Sequence, residues 1–244
     1  IFYKRSLKAA KDIYSEISTY RRIGNLYGRI KLYKKAEESY LNALKIISKV
    51  YGDNHYSNAS IFDNLAILYH IQGLFNKAEE YYLKSLNINK NTYGENHILV
   101  AKNYKNVGDL YLDKNLYQKA EKNILMALSI MNNIYGKEHP KSREYYTSLG
   151  DLYLIMGIPK KAEEVYLKSL QITKTFFGNN TTQLADEYEN IGHFFLNQNS
   201  YLKAERYFIK SLKVKIKSYG ENHPSISYIY KTLGYSYHNQ GLYE

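Results

Sequence analysis

The stretch that decides the fold is Asn64-Leu65-Ala66-Ile67-Leu68-Tyr69-His70-Ile71-Gln72-Gly73-Leu74-Phe75-Asn76-Lys77-Ala78-Glu79. Its frame returns 42 residues later, where Asn106-Val107-Gly108-Asp109-Leu110-Tyr111 leads to Asn115 and then to Ala120-Glu121. Working outward, Ala-Glu stands at Ala36-Glu37, Ala78-Glu79, Ala120-Glu121, Ala162-Glu163 and Ala204-Glu205. An aromatic followed by glycine stands at Tyr51-Gly52, Tyr93-Gly94, Tyr135-Gly136, Phe177-Gly178 and Tyr219-Gly220, with no slip of even one residue. A fixed period of this length marks a repeat array in which each unit is one supersecondary element.

Each repeat carries a small residue at Gly24, Ala66, Gly108, Gly150, Gly192 or Gly234. An aromatic precedes it by four (Tyr20, Phe62, Tyr104, Tyr146, Tyr188, Tyr230) and another follows by three (Tyr27, Tyr69, Tyr111, Tyr153, Phe195, Tyr237). Spacings of three and four place these rings on one helical face around a site where a second helix can approach closely. That first helix is expected to stop at Gly73, Asn115, Gly157, Asn199 and Gly241, residue types that tolerate a left-handed backbone; Lys31 is the exception in this column. A second helix follows, with a stripe read as buried at Ala78, Tyr82, Leu83 and Leu86, at Ala120, Ile124, Leu125 and Leu128, and at Ala162, Tyr166, Leu167 and Leu170. It ends at the aromatic-glycine pair, and Pro140 or Pro224 suits the opening of the next helix. One such hairpin cannot bury both of its faces, so the repeats must stack and share cores with their neighbours. The expected fold is all-α, a right-handed α-α superhelix of about six helical hairpins. Their approximate bounds are 15–55, 56–97, 98–139, 140–181, 182–223 and a partial 224–244, forming a single solenoid over 15–244 behind a lead-in or capping helix at 1–14.

Composition narrows the function. The 244 residues contain no Cys, which excludes disulfide frameworks, thiolate metal sites and cysteine nucleophiles. Net charge is +11, yet +8 of it falls within residues 1–50, so one basic end adjoins a near-neutral remainder. Backbone phosphate binding requires a basic stripe along a whole domain, and no nucleic acid is expected. No apolar run reaches the roughly 20 residues of a membrane span, and Ile1-Phe2-Tyr3-Lys4-Arg5-Ser6 lacks a secretory h-region, so a cytoplasmic protein with no membrane insertion is expected. The chain begins without Met and stops inside its own pattern, which reads as a fragment of a longer array. No phosphate loop, GxGxxG, GxSxG or HExxH motif is present, and neither catalysis nor a cofactor is expected. His55, His97, His139 and His223 recur once per repeat, but helices packed 8–10 Å apart cannot bring them to about 2 Å from one ion. They read as structural, as do the tyrosine columns. The sequons at Asn58, Asn179 and Asn180 carry no weight without a secretory signal.

A small residue flanked by aromatics, then Gly, then Ala, resembles the tetratricopeptide repeat. The 42-residue length resembles the kinesin light chain subfamily, as do Tyr219-Gly220-Glu221-Asn222-His223-Pro224, Leu233-Gly234, Gln240-Gly241-Leu242-Tyr243, Asn64 to Tyr69 and Gln72-Gly73-Leu74-Phe75. The resemblance covers residues 15–244 and implies a protein-interaction scaffold similar to a light-chain cargo domain, with a kinesin motor complex or its cargo among possible partners. Such solenoids bind extended peptides on the face lined by their first helices.

Counting from the small residue, offsets of six, three and two before and one after should face that groove. These are Ser18, Arg21, Arg22 and Asn25; Ser60, Asp63, Asn64 and Ile67; Lys102, Lys105, Asn106 and Asp109; Glu144, Thr147, Ser148 and Asp151; Asp186, Glu189, Asn190 and His193; Tyr228, Lys231, Thr232 and Tyr235. Asn64, Asn106 and Asn190 share one column, and a carboxamide both donates to and accepts from a peptide backbone. Arg21, Arg22, Lys102 and Lys105 against Glu144, Asp151, Asp186 and Glu189 give a bipolar groove that fits a ligand with an acidic segment in one direction only. An alternative comes from a second resemblance: Arg21, Asn25, Asn64 and Lys102 match four of five positions of the carboxylate clamp of co-chaperone adaptors, with Asn106 where the fifth has a cation.

Overall fold

The computed structural model describes the backbone of residues 2–241 and the side chains of residues 12–241. Among the described residues there are eleven α-helices and no strand. They are α1 (Phe2–Arg29), α2 (Tyr33–Tyr51), α3 (Tyr56–His70), α4 (Phe75–Tyr93), α5 (Ile98–Asp113), α6 (Tyr117–Tyr135), α7 (Arg143–Ile155), α8 (Pro159–Phe177), α9 (Thr182–Asn197), α10 (Tyr201–Tyr219) and α11 (Pro224–Asn239). The first helices of the repeats are the odd-numbered ones, and Pro140 opens a short 3-10 turn ahead of α7 rather than the helix itself. The backbone of residues 2–14 belongs to α1, which runs unbroken into the first repeat. The side chains of the expected lead-in segment up to residue 11, and residues 242–244 of the partial repeat, lie outside the described residues.

The chain forms two compact units, residues 1–130 and 131–244. In the first, α1 packs on α2, α2 on α3, α3 on α4 and α4 on α5, and α1 also touches α3. In the second, α7 packs on α8, α8 on α9, α9 on α10 and α10 on α11. The alanine column is fully enclosed at Ala36, Ala78, Ala120, Ala162 and Ala204, as are Leu65 and Leu149 beside the small residues, whereas the aromatic column four before the small residues is half-buried at Tyr20, Phe62, Tyr104 and Tyr146 and exposed at Tyr230. Leu83, Leu125 and Leu167 are not part of the stripe and stay about two-fifths exposed, at 43%, 43% and 39%. They follow directly on Tyr82, Ile124 and Tyr166, which are buried, and one residue along a helix turns the side chain through about 100°.

The small column does what its spacing implies. A Cβ added at Gly150 would lie 2.6 Å from the Tyr166 ring, at Gly192 2.8 Å from Phe208, and at Gly108 2.7 Å from Ile124. Each glycine is therefore a socket for the aromatic or branched residue sixteen positions later on the partner helix.

Both turn types of the repeat are determined locally. Helices α1, α3, α5, α7 and α9 close with paired bonds, in α3 the N–H of Leu74 to Tyr69 O at 2.9 Å and that of Gly73 to His70 O at 2.9 Å. The same pair recurs at Leu32 and Lys31, Leu116 and Asn115, Ile158 and Gly157, and Ser200 and Asn199. This is the Schellman arrangement, which needs positive φ at its penultimate residue. Lys31 adopts it too, with φ 61°, although a Cβ is strained there. Lys31→Gly is expected to raise stability by about 1 kcal/mol, measured as the shift in a urea unfolding midpoint.

At the other turn the histidines cap helices. The Nδ1 of His55 accepts from the Ser57 N–H at 3.4 Å, that of His97 from Leu99 at 3.2 Å, that of His139 from Lys141 at 3.2 Å and that of His223 from Ser225 at 3.3 Å. The rings stack on Tyr51, Tyr93, Tyr135 and Tyr219 at centroid separations of 4.4–4.7 Å. The column is an N-cap with an aromatic lid; Thr181 takes the role ahead of α9, and in the first repeat Ile13 stands inside the unbroken α1.

Repeats are clasped to one another by the glutamate of Ala-Glu. The Tyr69 hydroxyl donates to Glu37 at 2.5 Å, Tyr111 to Glu79 at 2.8 Å and Tyr237 to Glu205 at 3.1 Å. A lysine then covers the ring face, Lys77 over Tyr69 at 5.0 Å and Lys119 over Tyr111 at 5.3 Å. Burial and the neighbouring Glu79 push the Tyr111 hydroxyl up to about 12. Burial alone would raise Glu79, but the hydrogen bonds from Lys114 and Tyr111 and the lysine charge outweigh it and hold the carboxyl below its usual value.

Candidate peptide-binding site

The first unit gathers the groove offsets of three helices into one place. Ser18, Arg21 and Asn25 from α1, Ser60, Asp63, Asn64 and Ile67 from α3, and Lys102 from α5 line a single cleft of about 400 Å³. Helical spacing explains this: the offsets fall on one side of each first helix, and α1, α3 and α5 stand in successive repeats. The exposed rings of Tyr14, Tyr56 and Tyr93 add to the lining, which the offset rule did not anticipate.

Arg21 and Lys102 are exposed, and neither has an ion-pair partner among the described residues. The Tyr40 hydroxyl donates to Asn25 Oδ1 at 2.7 Å, which leaves the Asn25 amide hydrogens for another acceptor. Beneath the cations lies a polar layer. Asn103 Nδ2 donates to Asp63 Oδ1 at 2.8 Å and to Ser85 Oγ at 3.0 Å, and its Oδ1 accepts from Asn89 at 2.6 Å. Burial raises the Asp63 carboxyl above its ordinary value even though Ser85, the Lys102 charge and Asn103 pull it back.

Four expected residues of this unit, Arg22, Lys105, Asn106 and Asp109, do not line the cleft. Arg22 is exposed beside it, again with no ion-pair partner among the described residues. Lys105 is bound to Asp109 one turn along α5 at 2.8 Å, so its charge is spent locally. Asn106 has a buried Nδ2 with no hydrogen-bond partner. The four clamp-like residues Arg21, Asn25, Asn64 and Lys102 therefore share one cleft, and Asn106 stands apart from it.

Three of the four acidic positions of the second unit have partners of their own, and Glu144 is exposed with none among the described residues. Glu189 accepts from Lys215 at 2.7 Å and from the Ser211 hydroxyl at 2.6 Å, and Asp186 lies 3.2 Å from the same ammonium. Asp151 accepts from the Tyr166 hydroxyl at 2.5 Å. Lys215 is buried; burial works against its charge, but the two carboxylates outweigh it and hold its pKa above the ordinary value. Reasoning from first helices alone missed this residue, because it sits on α10 in a column that reads Ile47, Asn89, Met131 and Thr173 elsewhere. Asn190 is half-buried, and His193 faces Tyr228 at 3.2 Å with its pKa lowered by burial.

The same unit holds a buried carboxylate. Glu187 is 3% exposed, lies 3.4 Å from Arg143 and leaves Oε2 without a partner. Burial raises its pKa despite the Ser169 hydrogen bond and the Arg143 charge. A folded-state pKa above the unfolded one means a contribution fully present at acidic pH and lost as pH rises through the folded value. Ile61 and Ile229 occupy this column in other repeats, and Ser169 keeps the Arg143 carbonyl and Thr147 as partners. Glu187→Ile is expected to stabilise the fold by about 1–2 kcal/mol at pH 7.5 and by less at pH 4, read from denaturant midpoints at the two pH values.

Residues 15–91, 59–124 and 114–175 match one tetratricopeptide repeat family model, and residues 185–225 match a second. No curated protein matches the chain. Among solved structures, BtubC (BKLC) from P. vanneervenii superposes with a TM-score of 0.72 at 20% identity, covering 88% of this chain and 92% of that one. A Podosopora anserina protein described as a kinesin light chain with nearly identical TPR-like repeats gives 0.72 at 16% identity, over 84% and 97%. A STAND signal-transduction ATPase with a tetratricopeptide repeat sensor from Pyrococcus horikoshii gives 0.72 at 22%, over 96% of this chain but only 34% of that protein. These likenesses, all below 25% identity, show the fold. No helix among the described residues is long and apolar enough to cross a membrane. With both units matched by repeat models and the socket, cap and Schellman turn recurring along the array, the chain belongs to the tetratricopeptide repeat family.

Proposed function

We propose that this chain is a noncatalytic scaffold that holds an extended acidic peptide in the cleft of its first unit, in the manner of a kinesin light chain cargo domain. The observation that carries the reading is the pair Arg21 and Lys102, exposed cations with no ion pair among the described residues, which line one cleft with Asn25 and Asn64; Asp63, also in the lining, takes up part of the Lys102 field. The amides grip peptide backbone of any sequence, and the cations select acidic side chains. Arg22, beside the cleft, adds to the attractive field. Lys105 and Asn106 contribute less than their offsets suggest, since one is paired and the other lies outside the cleft. In the second unit Glu189 and Asp151 are engaged within the fold, so the groove offers Asn190 and the exposed Glu144, and a bipolar ligand gains little beyond these. The expected setting is the cytoplasm, with protein or peptide partners, a motor complex or its cargo among them.

A second reading is favoured by one observation, the convergence of the four clamp-like residues on the same cleft: the ligand's free C-terminal carboxylate would be the anion. Amidation separates the two. An acidic peptide should bind equally as free acid and amide if internal carboxylates are read, with affinity falling as salt rises. Loss of binding on amidation would move the assignment to the clamp, and no binding of either form would remove both.

A further inference from the structure

Helix α10 carries six Lys or Arg against a single acidic residue, Glu205. Lys215 turns inward to Glu189 and Asp186, whereas Lys203, Arg206, Lys210, Lys213 and Lys217 are all exposed. Their spacing of three, four, three and four residues places them on one side of the helix, in a line about 21 Å long. None of the five is ion-paired among the described residues. Lys203 lies over the Phe195 ring at 4.9 Å and Lys210 over Tyr207 at 4.8 Å and Tyr188 at 5.7 Å, while Arg206, Lys213 and Lys217 have no ring beneath them among the described residues.

The other second helices interrupt this line. At the place of Arg206, three of the four others hold Glu38, Glu80 and Glu164, and at the place of Lys213 three hold Asn87, Ser129 and Gln171. In α4 the interruption is a salt bridge: Lys84 and Glu80, equivalent to Lys210 and Arg206, meet at 2.6 Å. Helix α10 instead sets four like-charged pairs at spacings of three and four, which opposes helix formation. Repeat packing does not require this, since α8 holds Glu164 and Gln171 at the same places above buried Ala162 and Tyr166, as α10 does its cations above Ala204 and Phe208. A partner that supplies carboxylates turns the repulsion along α10 into attraction.

We infer that the exposed side of α10 is a docking surface for an acidic α-helix of a protein partner, one with Glu or Asp at the same alternating spacing of three and four. Two helices lying side by side rise equally, by about 1.5 Å per residue, so carboxylates at that spacing stay in register with the cations. The pattern drifts by only about 40° over the two heptads from Lys203 to Lys217, which keeps it on one face. This surface is separate from the cleft of the first unit, for α10 lies within residues 131–244. A membrane fits less well: the apolar side of α10, with Ala204, Phe208 and Val214, is buried in the fold, and the line is one helix wide because α8 presents Glu164. Single-stranded nucleic acid also fits less well, because bases stack on open rings and Phe195, Tyr188 and Tyr207 lie under Lys203 and Lys210.

The test uses two labelled helical peptides of three heptads and identical composition, one with Glu at positions a and d and Ala or Gln elsewhere, the other with its Glu residues scattered around the helix. The wild-type chain should bind the patterned peptide at least about tenfold more tightly, with the difference shrinking as salt rises. The cleft variant Arg21→Glu with Lys102→Glu should show the same difference. Arg206→Glu with Lys213→Gln introduces the residue types that α8 holds at these places, and should erase the difference while keeping or raising the melting temperature. Lys213→Gln with Lys217→Asn should reduce it severalfold and keeps the test decisive if the first variant does not fold. Equal binding of the two peptides by the wild type, a full difference retained in both α10 variants, or its loss in the cleft variant would overturn the proposal. So would binding of a single-stranded oligonucleotide or of phosphatidylserine vesicles that the α10 variants abolish, without binding of the patterned peptide.

Discussion

Replacing Arg21 and Lys102 together with Glu should lower the affinity for an acidic peptide by at least about a hundredfold, with the melting temperature nearly unchanged. Both side chains are exposed and neither is ion-paired among the described residues, so the internal interaction lost is limited to the pull of the Lys102 charge on Asp63. Two unit charges about 4 Å apart near a protein surface interact by up to about 4 kcal/mol, and reversal turns each attraction into repulsion. Solvent screening reduces that figure, yet two reversals need leave only about 2.7 kcal/mol to give a hundredfold loss. Lys105→Glu is the matched control. Its partner Asp109 stands 2.8 Å away, so reversal places two carboxylates together on α5 and costs stability more than affinity. Fluorescence anisotropy on the three proteins decides, and unchanged affinity in the double variant would sink the cleft assignment.

The second large effect is on stability and has opposite signs at two equivalent positions. Gly150→Val should destabilise the second unit by about 2–4 kcal/mol, because its Cβ would lie 2.6 Å from the Tyr166 ring and the branched side chain allows no retreat. Tyr166 is itself 2% exposed and donates to Asp151, so moving the ring breaks a buried hydrogen bond as well. Gly234 occupies the same column, but no atom lies within 4 Å of an added Cβ. Gly234→Ala should therefore stabilise α11 by about 0.5–1 kcal/mol through helix propensity alone. Thermal unfolding followed by circular dichroism measures both, and a shared sign would contradict the socket account.

The architecture was legible because stacking leaves period and spacing in the chain: the Ala column, the socket glycines and the Gly or Asn helix stops all lie where the 42-residue frame puts them. Lys31 was read as an exception, yet it takes the left-handed conformation, since two Schellman hydrogen bonds and the next helix start outweigh the strain of one Cβ. The histidine column was legible as structural, whereas its pairing of N-cap and ring stack depends on which nitrogen faces the helix, and no spacing encodes that. Leu83, Leu125 and Leu167 were assigned to the core because they are apolar next to buried residues, a pattern that composition supports and helical phase denies. At the site, offsets from the small residue found Arg21, Asn25, Asn64 and Lys102 but could not show which charges are already taken. The engagement of Glu189 by Lys215 joins residues 26 positions apart on two helices.

The most direct test of the central claim is to locate the ligand. An acidic peptide carrying a photoreactive group beside its acidic run should cross-link to the inner positions of α1, α3 and α5, with mass spectrometry mapping adducts to peptides that contain Ser18, Asn64 or Lys102. Adducts confined to residues 131–244, or no adduct under conditions where the peptide binds, would contradict the account.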